Sequence, residues 1–379
     1  MALALTDEQR LLKQTAEDFF SSKAPVKQLR MLRDKRDPDG FSRAMWQEMA
    51  ALGWTGIAIP EEYGGSDFGF FGLGLILEAA GRTLAATPLL STVVLGASAV
   101  QLAGTAGQRQ SILPAIAGGK LIMALALEER PHHAPLQIAT KAARTAAGYR
   151  IDGSKTFVLD GHVADRLIVV ARTAGQPGDR DGITLFLVDG TATGVARSRT
   201  VMVDSRNAAR IELNGVAVGN DAVLGEVGRG AEILEQVLDL GRIGLAAEML
   251  GSVSEVFERT VKYLKERKQF GVPIGSFQAL KHRAAEMFCE IELAKSAVLE
   301  SLTAIDEKRN DLPQLASLVK ARLGDTFFLV SNEGIQMHGG IGMTDEAEVG
   351  FFLKRARVAQ QTFGDAAFHR DRYATLEGF

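Results

Sequence analysis

The chain has very little cysteine, with Cys289 alone among 379 residues. One cysteine cannot form an intramolecular disulfide, so the sequence excludes a disulfide-stabilised secreted scaffold and predicts a cytoplasmic protein. Long apolar runs are also absent, since no segment reaches the roughly 18 apolar residues of a membrane span. The apolar stretch at the N-terminus is too short for a signal peptide, and membrane insertion is not predicted.

Histidine is scarce as well: there are 6 in the chain. None lies in an HExxH pattern or near a cysteine partner, so no metal site is predicted. The net charge of −3 and the pI of about 6.1 give no reason to expect nucleic acid as a partner. Hydrophobic residues make up 46% and charged residues 23%, which indicates a soluble globular protein, and the length predicts two or three domains.

The period of the apolar residues changes twice along the chain. Residues 1–120 have helical spacing, and Thr6 with Gln9 predicts a capping box before a helix. That helix is predicted to bury one face, which consists of Leu11, Leu12, Thr15, Ala16, Phe19 and Phe20. Residues 121–227 contain short β-branched or alternating runs with turn residues between them, which predicts a β domain.

Residues 228–379 return to helical spacing and predict a C-terminal bundle, like a four-helix bundle. Within "AAEMFCEIELAKSAVLESL", one face holds Met287, Ile291, Ala294, Val298 and Leu302. The predicted fold is therefore α+β, with an N-terminal helical domain, a barrel-like middle β domain and a C-terminal helical domain.

Two glycine-containing segments suggest a site for a phosphorylated ligand. "ERKQFGVPIGSFQALKHRAAEM" (266–287) has a basic helix end, a Gly/Pro turn and a new helix from Ser276, and "QMHGGIGM" (336–343) has paired glycines after an amphipathic helix. Glycines allow close approach of the backbone, and an arginine can supply a bidentate contact to a diphosphate. Taken singly, the glycines are equally a helix C-cap and Arg267 a solvated surface charge.

Taken together and in order, these segments resemble the acyl-CoA dehydrogenase family. So do "LGWTGIAIPEEYGG" (52–65), "YRIDGSKTFVLDGHVADRLIVVAR" (149–172) and "LDLGRIGLAAEMLG" (238–251), and the resemblance covers essentially the whole chain. It implies FAD, an acyl-CoA substrate and electron-transfer flavoprotein as the electron acceptor. In that family a glutamate removes the α proton while the β hydrogen leaves as hydride to the flavin.

The resemblance assigns the adenine and diphosphate end of FAD to one group of residues. They match the family's "RxxFG", "FQ" and "QxxGG" patterns and are Arg267, Phe270, Gln278, Gln336, Gly339 and Gly340. In the family these residues bind FAD held mainly by a neighbouring subunit. The resemblance therefore implies at least a dimer, extended to a homo- or heterotetramer in a dimer of dimers.

The flavin end departs from the family pattern. The family's "TEPxxGSD" loop places a Thr and a Ser on the flavin and its phosphates, whereas this chain keeps Glu128 but has Leu127 and His133 at those two positions. The family's "WIT" corresponds to Phe157, Val158 and Leu159, so an aromatic residue is kept and the Thr beside flavin N5 is lost. Backbone amides of these residues remain available.

The positions of the family's catalytic glutamate are also changed. They correspond to Phe363 in "TFGD" and to Gly241 immediately before Arg242, and neither side chain accepts a proton. Asp365 is the alternative base, or else the cap of the following helix. Asp239 is a weaker candidate that lines the substrate channel or faces solvent, while Arg242 matches a family arginine near the base or is a surface charge.

Three interpretations remain open from the sequence. The first is an FAD-dependent acyl-CoA dehydrogenase with an atypical base, and the second is a non-catalytic partner subunit of a heteromeric dehydrogenase acting on steroid-derived or other bulky acyl-CoAs. The third is a flavin oxidase or monooxygenase on the same fold. Gly241 and its small neighbours permit a roomy pocket for a branched or cyclic acyl group, in fatty acid or steroid catabolism.

Overall fold

The structure, a computed structural model, describes residues 5–379 and divides into two compact units. The helical unit comprises residues 5–35, 70–85 and 242–379, and the sheet unit comprises residues 36–69 and 86–241. The first 120 residues are thus shared between the units, because helix Phe70–Arg82 packs against other helices of the helical unit whereas residues 86–117 pack with strands. The proposed boundaries at 120 and 227 stay predictions.

The helical unit is built from long helices joined by short turns. They are α1 Asp7–Lys23, α2 Val26–Asp34, α4 Phe70–Arg82, the later part of α7 Gly230–Glu266, α8 Gln278–Asp306, α9 Leu312–His338, α10 Val349–Gln361 and α11 Ala366–Leu376. A two-stranded hairpin, β9 Lys268–Gln269 and β10 Val272–Pro273, joins α7 to α8. The predicted buried face of α8 is confirmed at all five of its positions.

Helices α4 and α7 approach each other closely because glycines lie at their crossing. A Cβ atom added at Gly81 would come within 1.9 Å of the Glu248 carbonyl oxygen, and one at Gly251 within 1.8 Å of the Glu78 carbonyl oxygen. The Ser252 hydroxyl donates to the Gly81 carbonyl at 2.8 Å across the same crossing. Any larger side chain at either glycine would push the helices apart.

The sheet unit contains an eight-stranded, mostly antiparallel sheet. Its path is β6 Val195–Val201, β7 Asn207–Gly219, β3 Gly148–Leu159, β2 Lys141–Arg144, β4 Arg166–Arg172, β5 Ile183–Asp189 and β8 Val223–Leu224, with β1 Met123–Ala126 parallel to β4. Helices α3 Arg43–Ala51, α5 Ser98–Ala103, α6 Ala106–Ala117 and a π-helix Leu89–Ala97 complete this unit. The order helix, sheet, helix predicted for the chain is confirmed.

Several local predictions need correction. The capping box of Thr6 and Gln9 is confirmed, but α1 buries only Ala16 and Phe20, while Leu11 and Thr15 are exposed. Ala16 and Phe20 lie four residues apart on the side of α1 that also carries Lys13, which pairs with Glu78 of α4 at 2.7 Å, and Leu11 and Thr15 lie off that side. Helix α8 begins at Gln278, because the chain forms a 3₁₀ turn up to Ser276.

Three strands of the eight-stranded sheet, β2, β6 and β8, were not predicted from the sequence. Strand β6 reads "VARSRTV" and carries no buried residue, so the alternation of apolar residues that signals a strand is missing. None of the helices formed by residues 5–379 has the length and apolar character needed to cross a membrane.

Candidate active site

The β9–β10 hairpin presents one aromatic ring to solvent. Phe270 and Gly271 form its two-residue turn, with φ of +53° and +80°. Turns of this type favour Asn or Gly because both central residues are left-handed, so phenylalanine is strained there. The ring is 93% exposed and touches Phe277 edge-on at 6.1 Å between centroids.

The polar residues predicted to bind the adenine end are in the same helical unit. Arg267 follows the last residue of α7, Gln278 is the first residue of α8, and Gln336 lies in the last turn of α9. All three are exposed, and their side chains form no hydrogen bond within residues 5–379. They are therefore available to an external ligand.

The paired glycines after Gln336 have the conformation of a helix end. Gly339 caps α9 with φ +64°, and its N–H donates to the Gln336 carbonyl, so the helix-cap interpretation is confirmed for this position. A Cβ atom added at Gly339 or Gly340 would meet nothing within 4 Å. This segment leaves open space beside its backbone, as a closely bound diphosphate requires.

In the sheet unit, the loop after β1 is held by an ion pair that the sequence analysis did not identify. Buried Lys155 of β3 donates to the Leu127 carbonyl at 3.0 Å and to Glu129 Oε1 at 2.7 Å. Glu129 also accepts from the amides of Ala139 and Thr140 at 2.7 and 3.0 Å. Burial lowers the pKa of Lys155 to about 8, although the negative charge of Glu129 acts to raise it.

The residues substituted in this loop differ in environment. Leu127 is buried at 3% exposure, and its side chain offers no hydrogen-bonding group. His133 Nδ1 lies 2.5 Å from Glu128 Oε1 and donates to it, with only 3% of the imidazole exposed. Neither residue therefore reproduces the free hydroxyl of the family pattern at its position.

Phe157 is the second strained aromatic residue. It occupies a bulge where the register of β3 against β7 shifts between Lys155 and Val158, with φ +51°. The bulge turns the ring outward, so that it is 38% exposed while neighbouring Val158 is buried. Leu159, two residues further on, is half-buried and cannot donate a hydrogen bond from its side chain.

The turn between α10 and α11 carries the third strained aromatic residue, Phe363. It has φ +60°, Gly364 follows at φ +103°, and Phe363 is 9% exposed. Asp365 caps α11, because its Oδ1 accepts from the Phe368 amide at 2.9 Å. The helix-cap interpretation of Asp365 is confirmed, and its role as a base stays a prediction.

Arg242 and Asp239 on α7 are both buried. Arg242 is 0% exposed, its Nε donates to the Phe363 carbonyl at 3.4 Å, and its guanidinium lies 5.8 Å from the centroid of Phe368. Asp239 is 3% exposed. The alternatives that Arg242 is a surface charge and that Asp239 faces solvent are therefore wrong, and both residues are placed as buried polar groups on one helix.

Lys320 and His369 near this turn were not identified from the sequence. Lys320 lies on the apolar face of α9 at 1% exposure, and His369 of α11 is fully buried. A lysine on the predicted apolar face of a helix is the signal that would have drawn attention to Lys320.

Family models match almost the full length of the chain. The N-terminal domain of acyl-CoA dehydrogenases matches residues 6–120, the middle domain residues 126–216 and the C-terminal domain residues 228–375. The chain therefore belongs to the acyl-CoA dehydrogenase family of oxidoreductases, whose members carry out FAD-dependent dehydrogenation of acyl-CoA.

Two curated relatives illustrate the similarity. The probable acyl-CoA dehydrogenase YngJ of Bacillus subtilis is 30% identical over 98% of each chain. The caffeyl-CoA reductase-Etf complex subunit CarC of Acetobacterium woodii is 28% identical over 93% of each chain.

Three solved structures share the fold. Butyryl-CoA dehydrogenase from Megasphaera elsdenii has a TM-score of 0.91 at 27% identity, with both chains covered completely. A variant of the Tcur3481-Tcur3483 steroid ACAD has a TM-score of 0.87 at 30% identity over 98% of each chain. The ChsE4-ChsE5 complex from Mycobacterium tuberculosis has a TM-score of 0.88 at 25% identity over 100% of each chain.

Proposed function

We propose that this chain is the partner subunit of a heteromeric acyl-CoA dehydrogenase. It supplies adenine-side contacts to FAD, and a homologous subunit supplies the flavin-side contacts and the catalytic base. FAD, when bound, accepts the hydride from the acyl-CoA, and electrons pass on to electron-transfer flavoprotein. The complex is proposed to be cytoplasmic and to act on a bulky, branched or cyclic acyl group.

The adenine-side residues support this proposal because all of them are present and accessible. Arg267, Gln278 and Gln336 are exposed without side-chain partners, and Phe270 is held in a strained turn at 93% exposure. Backbone strain at an exposed aromatic ring stabilises nothing within the chain itself. Its persistence is explained if the ring contacts a ligand or another subunit.

The flavin-side residues support the same division of labour. Leu127 and Leu159 have no hydroxyl, and His133 is already paired with Glu128 at 2.5 Å. Residues that would hold the isoalloxazine ring within this chain therefore have reduced hydrogen-bonding capacity. The adenine-side set fits FAD, and the flavin-side set matches it poorly.

The absence of a carboxylate from the two positions that the resemblance assigns to the catalytic base carries the proposal. Phe363 stands at one family position and Gly241 at the other, and Asp365 uses one carboxylate oxygen to cap α11. General-base catalysis contributes about 10²–10⁴-fold to rates. A chain without a base is expected to depend on a partner for this contribution.

The relatives are compatible with assembly from different chains. The ChsE4-ChsE5 structure is a complex, and CarC is a subunit of a complex with Etf. The Tcur3481-Tcur3483 protein is a steroid ACAD, which supports a bulky acyl group as the substrate class for the present chain.

The decisive experiment compares the chain purified alone with the chain co-expressed with a homologous dehydrogenase subunit of its own organism. We expect the chain alone to be colourless and inactive, and the co-purified complex to carry FAD and to bleach with an acyl-CoA. Full FAD occupancy and bleaching by the chain alone would refute the proposal.

Variants of the hairpin locate the contribution of this chain to the complex. Arg267→Ala should weaken FAD binding by about 10- to 100-fold, since a charge-assisted hydrogen bond contributes about 1.5–3 kcal/mol. Lys268→Ala is the matched control, because Lys268 is an exposed cation of the same hairpin without a predicted contact. Equal losses for the two variants would show a general charge effect.

A self-sufficient dehydrogenase that uses Asp365 is the second candidate. It is favoured by Asp365 Oδ2, which accepts no hydrogen bond from residues 5–379 while Oδ1 forms the cap. Asp365→Asn keeps the capping ability and removes the charge, whereas Asp365→Ala removes both. If Asp365 is the base, Asn and Ala should both abolish flavin bleaching; if it is only a cap, Asn should leave the bleaching rate unchanged.

A further inference from the structure

The turn of residues 362–365 is held by basic side chains from three different helices. Arg242 of α7 donates to the Phe363 carbonyl at 3.4 Å, and His369 Nε2 of α11 donates to the same oxygen at 3.0 Å. Lys320 Nζ of α9 donates to the Gly364 carbonyl at 2.8 Å and to the Gln360 carbonyl at 3.1 Å. The carbonyls of Gln360, at the end of α10, and of Phe363 and Gly364, in the turn, are thereby held from three helices.

The backbone of this turn requires such support. Phe363 has φ +60° and Gly364 φ +103°, and a non-glycine residue in the left-handed region is strained. A Cβ atom at Gly364 would approach the Phe368 ring to 2.5 Å, so this position also needs glycine. The turn keeps this conformation only if its surroundings hold it.

Lys320 is the unusual member of the cluster. It is 1% exposed and forms no ion pair within residues 5–379, so its ammonium group donates to backbone carbonyls instead of a carboxylate. The charged groups that act on it are Arg242 of α7 and Asp365 at the start of α11. Burial and the positive charge of Arg242 lower the pKa of Lys320 to about 7, against the opposing effect of Asp365.

We propose that Lys320 is a positioning residue that holds the Phe363 turn, with His369 as the second donor from α11. The protonated amine holds the Gly364 and Gln360 carbonyls firmly, and the neutral amine holds them weakly. Release of the turn removes these carbonyls but leaves the amine buried, unlike complete unfolding, which hydrates it, so protonation favours the held turn. The conformation at position 363, and with it the end of α10 and the start of α11, therefore responds to pH near neutrality. This inference rests on the packing of the helical unit and not on the subunit role proposed above, so the two fail separately.

The test is hydrogen exchange measured by mass spectrometry on the full chain, in whichever assembly it purifies. After correction for intrinsic exchange, protection of the peptide covering residues 361–368 should fall about tenfold between pH 6 and pH 8.5 in the unmodified protein. Peptides from the middle of α8 should show no such change. This measurement needs no substitution, so it does not depend on the folding of a variant.

Two variants separate positioning from general stability. In Lys320→Met the 361–368 peptide should lose about tenfold in protection at pH 6 and show no pH dependence, because the titrating donor is gone. Lys295→Met, at an exposed position of α8, is the matched control and should behave like the unmodified protein. His369→Gln retains a donor and should keep the pH dependence.

Three results would overturn the proposal. They are pH-independent protection of the turn in the unmodified protein, retained pH dependence in Lys320→Met, and a loss of protection spread evenly over all helices of that variant.

Discussion

Phe363 has a backbone conformation that few residues other than glycine and asparagine adopt readily, and it lies at one of the two positions that the sequence resemblance assigns to the catalytic glutamate. Its carbonyl is bound by Arg242 and His369, while its ring is buried. These contacts hold the turn although the side chain at this position is not a carboxylate. The backbone conformation of residue 363 is therefore supported, although its side chain cannot act as a base.

Phe363→Glu tests whether the missing carboxylate is the only defect of the chain. We expect the variant purified alone to remain inactive, because Leu127 and Leu159 also lack the flavin-side hydroxyls. The measurement is anaerobic flavin bleaching with an acyl-CoA after reconstitution with FAD, and Phe363→Gln is the isosteric control. A gain of about 10²–10⁴-fold for Glu over Gln would instead show a self-sufficient active site that lacks only its base.

The sequence predicted much of the candidate site and missed residues that act through the backbone. Arg267, Phe270 and Gln336 could be proposed from the sequence because the roles predicted for them depend on side-chain identity in short motifs. Lys320, by contrast, acts on carbonyl oxygens 40 to 44 positions away along the chain. Local periodicity contains no information about such contacts, which only the packing of α9 against the turn creates.

At the scale of single elements, the β9–β10 hairpin combines strain and exposure. Its two-residue turn holds Phe270 in a left-handed conformation, and the ring is almost completely exposed in the single chain. With phenylalanine at this position, the chain is therefore less stable than it would be with glycine in the turn.

Phe270→Gly should relieve this strain and remove the ring. We expect it to raise the free energy of unfolding by about 1 kcal/mol and to weaken FAD retention in the complex by about tenfold. Thermal unfolding and equilibrium dialysis of FAD are the measurements. Phe270→Leu keeps the strain but removes the ring, so it should weaken FAD retention without raising the free energy of unfolding. A Leu variant as stabilised as Phe270→Gly would contradict the strain argument.

The crossing of α4 and α7 is a second element with a defined requirement. Gly251→Ala should lower the free energy of unfolding by about 1–3 kcal/mol, because the new methyl group would lie 1.8 Å from the Glu78 carbonyl oxygen. Gly107→Ala in α6 is the control, since nothing lies within 4 Å of the added atom. It should stabilise by about 0.5–1 kcal/mol from helix propensity, as judged by urea denaturation.

The elements themselves were mostly predictable, and the exceptions have physical causes. The face of α8 from Met287 to Leu302 and the strands β3, β4, β5 and β7 follow from apolar spacing. Strand β6 was not predicted because none of its residues is buried, so its sequence does not alternate between apolar and polar residues. The exposure of Leu11 was not predicted because the apolar spacing marks a face wider than the one that α1 buries at Ala16 and Phe20.

At the scale of the whole molecule, the residues that the sequence assigns to the two ends of FAD belong to different compact units. Adenine-side residues are in the helical unit, and the altered flavin-loop residues are in the sheet unit. Phe363, at a predicted position of the base, is in the helical unit as well, so the predicted changes at the base and at the flavin loop are separate. The proposed subunit role accounts for both predicted changes together.

Two buried lysines make global stability depend on pH in a defined direction. The pKa of Lys320 is lowered to about 7 and that of Lys155 to about 8 by burial, so between these values and their ordinary value the unfolded chain binds more protons. Their contribution therefore makes the free energy of unfolding rise with pH from about 7 to about 10, by at most about 1.4 kcal/mol per pH unit for each lysine.

Lys320→Met isolates one part of this dependence. The slope of the denaturation free energy against pH should be smaller in the variant than in the unmodified protein, beginning near pH 7, as measured by urea denaturation at half-unit intervals. Identical slopes for the two proteins would show that Lys320 is charged in the folded state across this range.

The three left-handed phenylalanines, at positions 157, 270 and 363, define where laboratory evolution of this protein would move first. A library selected only for survival at high temperature is expected to accumulate glycine or asparagine at positions 157 and 270, where the ring is exposed, and to keep Phe363, whose ring is buried. A library selected for growth on the natural substrate is expected to keep an aromatic residue wherever the ring is used. The two enrichment profiles, compared position by position, would separate the phenylalanines that the organism needs from those that are merely inherited.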